Sequence, residues 1–154
     1  MKNCLRLKNF PISFFAPVLG LAGFSLALQK TQSTFSIPDW VSLLILAVTI
    51  FLFLIVIGFY GLKLLVFKDE VRKEYQHPIK INFFPLISKI LLVLSVVFLS
   101  LDLTTSKWFW IIGVIINTIF SISILGEWIS KEHFNIEHMS PAWFIPVVGN
   151  LIIP

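Results

Sequence analysis

The sequence has few charged residues, and this scarcity excludes an ordinary water-soluble domain. Only 13% of its 154 residues are Asp, Glu, Lys or Arg, whereas 57% are hydrophobic. Typical soluble domains carry about 25% charged residues. The mean hydropathy is +0.93, and the apolar residues are grouped in long runs that a globular core does not need. We therefore expect an all-α, polytopic membrane protein that has the lipid bilayer as its main partner.

The sequence also lacks the motifs of most enzymes. The single Cys4 excludes an internal disulfide and a cysteine pair for a metal. There is no glycine-rich phosphate loop, no Ser-His-Asp grouping and no Cys/His cluster, so we expect neither catalysis nor a cofactor. The net charge is +4, but the basic residues lie in short loops between apolar runs, which argues against nucleic-acid binding.

Four apolar runs are long enough to cross a bilayer, whose core of about 30 Å needs about 20 helical residues. They cover residues 10–28, 40–67, 81–101 and 108–129, and a shorter run over residues 140–154 is interpreted as the start of a fifth span. The first run could instead be a signal peptide. It is longer than the usual apolar region of one and lacks a clean cleavage site, which favours a retained span.

Positive charges alternate between the connecting segments. Basic residues are concentrated before the first run and between the second and third, at Lys2, Arg6, Lys8, Lys68, Arg72, Lys73 and Lys80. The first and third connections carry only Lys30 and Lys107. Because positive loops stay in the cytoplasm, we predict a cytoplasmic N-terminus and a multi-pass protein of the plasma or inner membrane.

Prolines distinguish the odd runs from the even ones. The first, third and fifth runs contain Pro11, Pro17, Pro85, Pro141 and Pro146, whereas the apolar interiors of the second and fourth contain none. Because proline bends a helix, we predict kinked inner helices alternating with straight outer ones, in a repeat of helical hairpins. The alternative is that prolines are simply tolerated at helix starts.

Two sets of small or polar residues recur at helical spacing. The first run carries Ala16, Gly20, Gly23 and Ala27, and the fourth carries Gly113, Asn117 and Ser121. Such faces allow helix backbones to approach closely in lipid. We interpret both as helix-packing seams, with a pore lining as the alternative.

Three motifs together resemble a known family. Asn9-Phe-Pro-Ile-Ser-Phe-Phe-Ala-Pro-Val-Leu-Gly-Leu-Ala-Gly is similar to the first helix of the slow-anion-channel, tellurite-resistance (TehA-like) and C4-dicarboxylate or malic acid transporter family. This is also called the voltage-dependent anion channel family. The stretches starting at His77 and Ser140 resemble the beginnings of its third and fifth helices. The resemblance covers nearly the whole chain.

The resemblance implies a ten-helix fold of five hairpins, of which this chain would hold about two and a half. It implies homotrimers whose odd helices surround a pore for small anions such as halide, nitrate, tellurite or malate. The positions implied at the kinks and along the path are Pro17, Pro85, Pro146, Phe14, Phe15, Phe83, Phe84 and Phe144. Ser13 and Ala16 replace two glycines of many relatives, which alters the expected turn, and the family's gate lies outside this half.

Lys89 is the only charge well inside a predicted span. It lies about 12 Å along the helix from Ile81. It could attract an anion, because intramembrane charges commonly mark function. The favoured alternative is that it extends back to the cytoplasmic headgroups. Glu132-His133 and Glu137-His138 do not have a known metal-ligand spacing, so no metal site is predicted.

We therefore predict part of an anion channel or anion transporter, inactive as a fragment. The alternative is a non-transporting truncated product or a small four-helix accessory protein. An apolar run of 15 residues that cannot cross the bilayer favours the first interpretation.

Overall fold

The computed structural model describes residues 7–35, 38–130, 144–148 and 150, and the regular elements in these ranges are all helical. Leu7 and Lys8 are helical, and six further α-helices follow in these ranges: α1 Phe15–Phe35, α2 Asp39–Val66, α3 Lys68–Gln76, α4 Leu86–Phe98, α5 Leu103–Ser130 and α6 Phe144–Val148. Short 3-10 helices, Ile12–Phe14 and Lys80–Phe83, precede α1 and α4. The all-α fold class predicted from the sequence is confirmed.

Four helical segments are long and apolar enough to cross a membrane. They are Ile12–Gln32, Asp39–Val66, Lys80–Phe98 and Leu103–Ile129. The largest difference from the prediction is in the fourth, which begins at Leu103 rather than near residue 108. Asp102 explains this early start, because its carboxylate accepts hydrogen bonds from the backbone N–H groups of Thr104 (3.3 Å) and Thr105 (2.8 Å). These bonds satisfy two donors that a helix start would otherwise leave free.

The connection between the second and third spans is itself a helix, which the sequence interpretation treated as a loop. In α3, Asp69 and Glu70 lie in the first turn and Lys73 in the last. This order stabilises a helix, because negative charge is favourable at its N-terminus and positive charge at its C-terminus. Val71 and Glu74 are buried, three residues apart on one face. α3 therefore lies against the rest of the protein.

The third span is the centre of the bundle. In its most apolar 18-residue window 78% of the residues are buried, compared with 28% or less in the other three spans. α1 packs against α2 and against α4, and α4 packs against α5. The two hairpins, α1–α2 and α4–α5, therefore meet along the contact between the first and third spans.

Pro85 marks a change of helix type within the third span. Proline has no backbone N–H, so it cannot bond to the Ile81 carbonyl four residues earlier. That carbonyl instead accepts a hydrogen bond from the Phe84 N–H at 3.2 Å, the spacing of a 3-10 turn. The span consequently runs as a 3-10 helix over Lys80–Phe83 and continues as an α-helix from Leu86.

Candidate functional site

A buried ion pair joins three parts of the chain at the membrane face that carries the N-terminal segment. Lys63, near the end of α2, donates from Nζ to Glu74 Oε1 of α3 at 2.9 Å and to the Phe10 carbonyl oxygen at 2.7 Å. Tyr60 Oη donates to the other carboxylate oxygen of Glu74 at 3.0 Å. The Lys63 and Glu74 side chains are 1% and 10% exposed. The pair therefore connects α2, α3 and the segment preceding α1.

Aromatic rings surround this ion pair on its membrane side. Tyr60 makes edge contacts with Phe15 of α1 and Phe84, with ring centroids 5.9 and 6.2 Å apart. Phe84 continues the contacts to Tyr75 of α3 at 5.3 Å and to Phe120 of α5 at 6.2 Å. Such edge and tilted arrangements suit the ring quadrupoles. One connected cluster thus links all four spans and α3.

A second polar network lies between the third, fourth and fifth segments. The Ser88 hydroxyl is 3.2 Å from Asn117 Oδ1, and Asn117 Nδ2 donates to Asn150 Oδ1 at 2.8 Å. Ser121 Oγ is 3.4 Å from the same Asn150 oxygen. Ser88 and Asn117 are fully buried. In lipid, where water cannot satisfy these groups, such bonds connect neighbouring helices.

The exposed faces of the spans differ in the size of their side chains. α2 and α5 present large side chains outward, among them Phe51, Leu54, Leu65, Ile115, Ile119 and Ile122. The exposed surface of α1 carries a stripe of small residues, Ala16, Gly20, Gly23 and Ala27, beside the large exposed side chain of Phe24. A Cβ added at Gly20 or Gly23 would meet nothing within 4 Å. In the part of the chain that the structure describes, this small-residue face is uncovered.

A basic cavity of about 310 Å³ lies next to the buried ion pair. We call it the lysine cavity; it is lined by Lys8, Asn9, Pro11, Lys63, Glu70, Lys73, Glu74, His77 and Lys80. Glu70 lies 3.1 Å from Lys73 Nζ and 3.4 Å from Lys8 Nζ. The hydrogen bond from Lys73 holds the pKa of the Glu70 carboxyl below its usual value. The cavity opens to water, since the Lys73 side chain is 70% exposed.

The structure brings some of the predicted path residues together and separates others. Phe15, Phe84, Pro85 and Pro146 are buried, Phe83 is half-buried, and Phe14, Pro17 and Phe144 are exposed. Phe15 and Phe84 both contact Tyr60 in the aromatic cluster. Phe14 instead stacks on Phe10, with centroids 4.7 Å apart. Pro17 lies in the first turn of α1, where the missing N–H leaves no broken helical bond.

The two predicted helix-packing seams differ in burial. Gly113, Asn117 and Ser121 are buried, and a Cβ added at Gly113 would lie 3.0 Å from the Leu92 side chain of α4. The α1 stripe faces outward, as described above.

Lys89 lies inside the bundle. The residue is 3% exposed, so protein covers nearly all of it, and its extension to the lipid headgroups stays an alternative prediction. No hydrogen bond or ion pair joins its ammonium group to another residue within the described ranges. Its role in attracting anions stays a prediction.

The acidic and histidine residues of the loop after α5 lie outside the described residues. Glu132, His133, Glu137 and His138 are among them, as is the Pro141 motif. The described residues contain no group of three or more His, Cys, Asp or Glu side chains able to hold a metal ion.

The sequence interpretation missed the ion pair and the lysine cavity. Lys63 and Glu74 are eleven residues apart along the chain, so no local pattern pairs them. A signal was nevertheless available. Val71, Glu74 and Tyr75 are spaced three and four apart on one side of a charged segment, and this pattern predicts a helix with one buried face.

Comparison with known proteins gives a consistent result. The model of the family described as "Voltage-dependent anion channel" matches residues 9–154. An uncharacterized transporter of Methanocaldococcus jannaschii is 28% identical over 150 residues, 96% of this chain and 44% of the relative. The S-type anion channel SLAH3 of Arabidopsis thaliana is 31% identical over 95% of this chain and 24% of its own length. A tellurite resistance protein TehA homolog of Haemophilus influenzae is 29% identical over 96% of this chain and 45% of its length. The chain thus spans less than half the length of these relatives.

Proposed function

We propose that this chain, which belongs to the voltage-dependent anion channel family, forms part of a membrane pathway for small anions. The family resemblance noted in the sequence is confirmed, and four candidate spans make this a multi-pass membrane protein. Two similar proteins carry anion-related names, the plant S-type anion channel and the bacterial tellurite resistance homolog. Halide, nitrate, tellurite and C4-dicarboxylates such as malate are the candidate substrates.

The contrast between the small stripe on α1 and the large outward side chains of α2 and α5 carries the proposal for where the pathway lies. Large aliphatic and aromatic side chains on α2 and α5 suit lipid. The small face of α1 suits a narrow space or a close helix neighbour. We therefore place α1 at the wall of the pathway and α2 and α5 outside it. The third span lies behind α1, where Pro85 sets its geometry.

The described helices supply one side of such a wall. The face of α1 over Ala16, Gly20, Gly23 and Ala27 has no cover among the residues described. We propose that further spans of a longer protein complete it and that the 154-residue chain alone does not conduct. A homotrimer in the plasma or inner membrane, with the N-terminus in the cytoplasm, is the assembly we expect.

Anion flux into liposomes tests this function. The chain alone and any longer form of the same protein are reconstituted in parallel, and chloride, nitrate, malate and tellurite uptake is measured. We expect flux from the longer form and none from the chain alone. Flux from the chain alone would show that it needs no further spans, and absence of flux from both forms would contradict anion transport.

A pair of glycine substitutions tests the assignment of the wall. Gly20→Leu places a large side chain on the small face of α1, and we expect it to block most of the flux of the longer form. Gly58→Leu is the matched control on α2, because Gly58 is also exposed with nothing within 4 Å of an added Cβ. Equal flux in the two variants would exclude α1 from the wall.

Lys89→Met tests whether the positive charge of the buried Lys89 contributes to anion transport. If the buried ammonium group attracts anions, the variant should carry less anion current at equal protein density. Unchanged flux would assign Lys89 a structural role only.

A further inference from the structure

We propose that the lysine cavity binds a phosphate group of the monoester type, presented either by a membrane lipid or by a soluble molecule. This inference is independent of the transport pathway, because the cavity lies between the N-terminal segment, α3 and the end of α2. The small face of α1 is elsewhere. The argument rests on the charge, the donors and the size of the cavity.

The cavity has a surplus of positive charge. Four lysines line it, Lys8, Lys63, Lys73 and Lys80, together with two carboxylates. Glu74 is engaged by Lys63, and Lys8 and Lys73 share Glu70. Four positive and two negative charges leave a balance of +2. A phosphate monoester carries a charge of about −1.5 to −2 at pH 7, which matches this surplus.

Residues that line the lysine cavity offer hydrogen-bond donors to a ligand. The Lys80 ammonium group has no hydrogen bond or ion pair with any residue in the described part of the chain. His77 Nδ1 accepts a hydrogen bond from the Ile79 N–H at 3.2 Å. In the neutral ring the proton is then on Nε2, so this atom is a donor. Asn9 adds an amide. Phosphate oxygens accept from all three kinds of group.

The volume of the lysine cavity and the fixed position of its walls suit a polyatomic ligand. Its volume of about 310 Å³ is at the lower limit of small-molecule sites, which run from about 300 to 1,000 Å³. The Lys63–Glu74 pair and its bond to the Phe10 carbonyl fix the position of three of its walls. A second cavity of about 310 Å³ is lined by Gln29, Gln32, Asp39, Ser42, Leu43, Ser100 and Leu101, and its only charge among these is negative. Of these two cavities, the lysine cavity is therefore the one suited to an anion.

Calorimetric titration of the full chain in detergent tests the soluble source. Inorganic phosphate and glycerol 3-phosphate are the probes. Lys80→Gln should weaken binding about fivefold, the effect of removing one exposed charge partner. Glu70→Gln should strengthen binding by a similar factor, because it frees Lys8 and Lys73. A variant that merely disturbed folding would not bind more tightly. Lys68→Gln is the control, since Lys68 is an exposed lysine at the start of α3 that does not line the cavity.

Vesicles test the lipid source. The protein is reconstituted in phosphatidylcholine with and without a minor fraction of phosphatidic acid, and retained lipid is measured by native mass spectrometry. If glycerol 3-phosphate binds most tightly to Glu70→Gln, less tightly to the wild type and least tightly to Lys80→Gln, the result supports the site with a soluble ligand. Retention of phosphatidic acid in the same order, without soluble binding, supports it with a lipid headgroup. No binding in either arm, or binding that Lys68→Gln changes as much as Lys80→Gln, overturns the proposal.

Discussion

Replacing Glu74 by glutamine tests how strongly the buried ion pair holds the protein together. The Glu74 carboxylate accepts from Lys63 Nζ at 2.9 Å and from Tyr60 Oη at 3.0 Å. Glutamine keeps the shape of the side chain but removes its charge. The Lys63 ammonium, 1% exposed, would then have only neutral acceptors, the Phe10 carbonyl and the glutamine amide oxygen.

The expected cost follows from this burial. Removing one partner of a buried ion pair costs about 3–5 kcal/mol, because it leaves an uncompensated charge. We expect the lower end, since the Glu74 side chain keeps 10% of its surface exposed at the lysine cavity. A loss of about 3 kcal/mol changes the unfolding equilibrium constant by about a hundredfold.

Reversible unfolding in mixed micelles measures this loss. The mole fraction of SDS is raised while tryptophan fluorescence and helicity are recorded. The double variant Lys63→Met, Glu74→Gln removes both charges, and we expect it to recover most of the stability, because it leaves no uncompensated charge in the interior. Lys73→Gln is the exposed control, with no measurable effect expected. If Glu74→Gln unfolds at the wild-type SDS fraction, or the double variant is as unstable as the single one, the reasoning is refuted.

Three further predictions concern the helix contacts. Gly113→Ala places a Cβ 3.0 Å from the Leu92 side chain and 3.3 Å from its backbone nitrogen, so we expect a loss of about 1–3 kcal/mol in the same assay. Gly126→Ala, with open space around the added Cβ, should instead gain up to about 1 kcal/mol. Asn117→Leu removes the bonds to Ser88 and Asn150 and should cost about 0.6–2 kcal/mol, whereas an unchanged SDS midpoint would show that this network does not contribute. Asp102 accepts hydrogen bonds from Thr105, which lower the pKa of its carboxyl. A lowered pKa gives stability that is complete above the unfolded value of about 3.9 and is lost as the pH falls through the folded value. The protection of the Thr104 and Thr105 amides from exchange, relative to the intrinsic exchange rate at each pH, should therefore fall on acidification below about pH 4, and less so in Asp102→Ala, which has no carboxylate to protonate.

The features that the sequence predicted are those that lipid imposes locally. Long apolar runs must be helical in a bilayer, because every backbone polar group has to be satisfied within the segment. Hence the four spans were predictable from hydropathy. The start of α5 was placed too late, because its first residues, Thr104 and Thr105, have a polar character typical of a loop, and Asp102 caps them.

The site was less predictable, since it depends on how segments meet. Nothing local shows that Glu74 folds back against Lys63, or that Tyr60 completes the carboxylate's bonds. The position of Lys89 shows the same difficulty. Hydropathy placed it well inside a span, but nothing local shows that the burial of the third span covers it with protein.

The enclosure of the third span has a consequence for how the protein is made. In the folded bundle the third span is surrounded by protein, but it faces lipid when it first leaves the insertion machinery. At that moment Asn82, Ser88 and Lys89 have no neighbours to replace water, and a lysine at depth costs about 2.5–3.5 kcal/mol. The fourth span follows after a connection of only four residues, 99–102. Its Asn117 then reaches Ser88. We therefore expect the α4–α5 hairpin, rather than the single helix, to be the unit that enters the membrane.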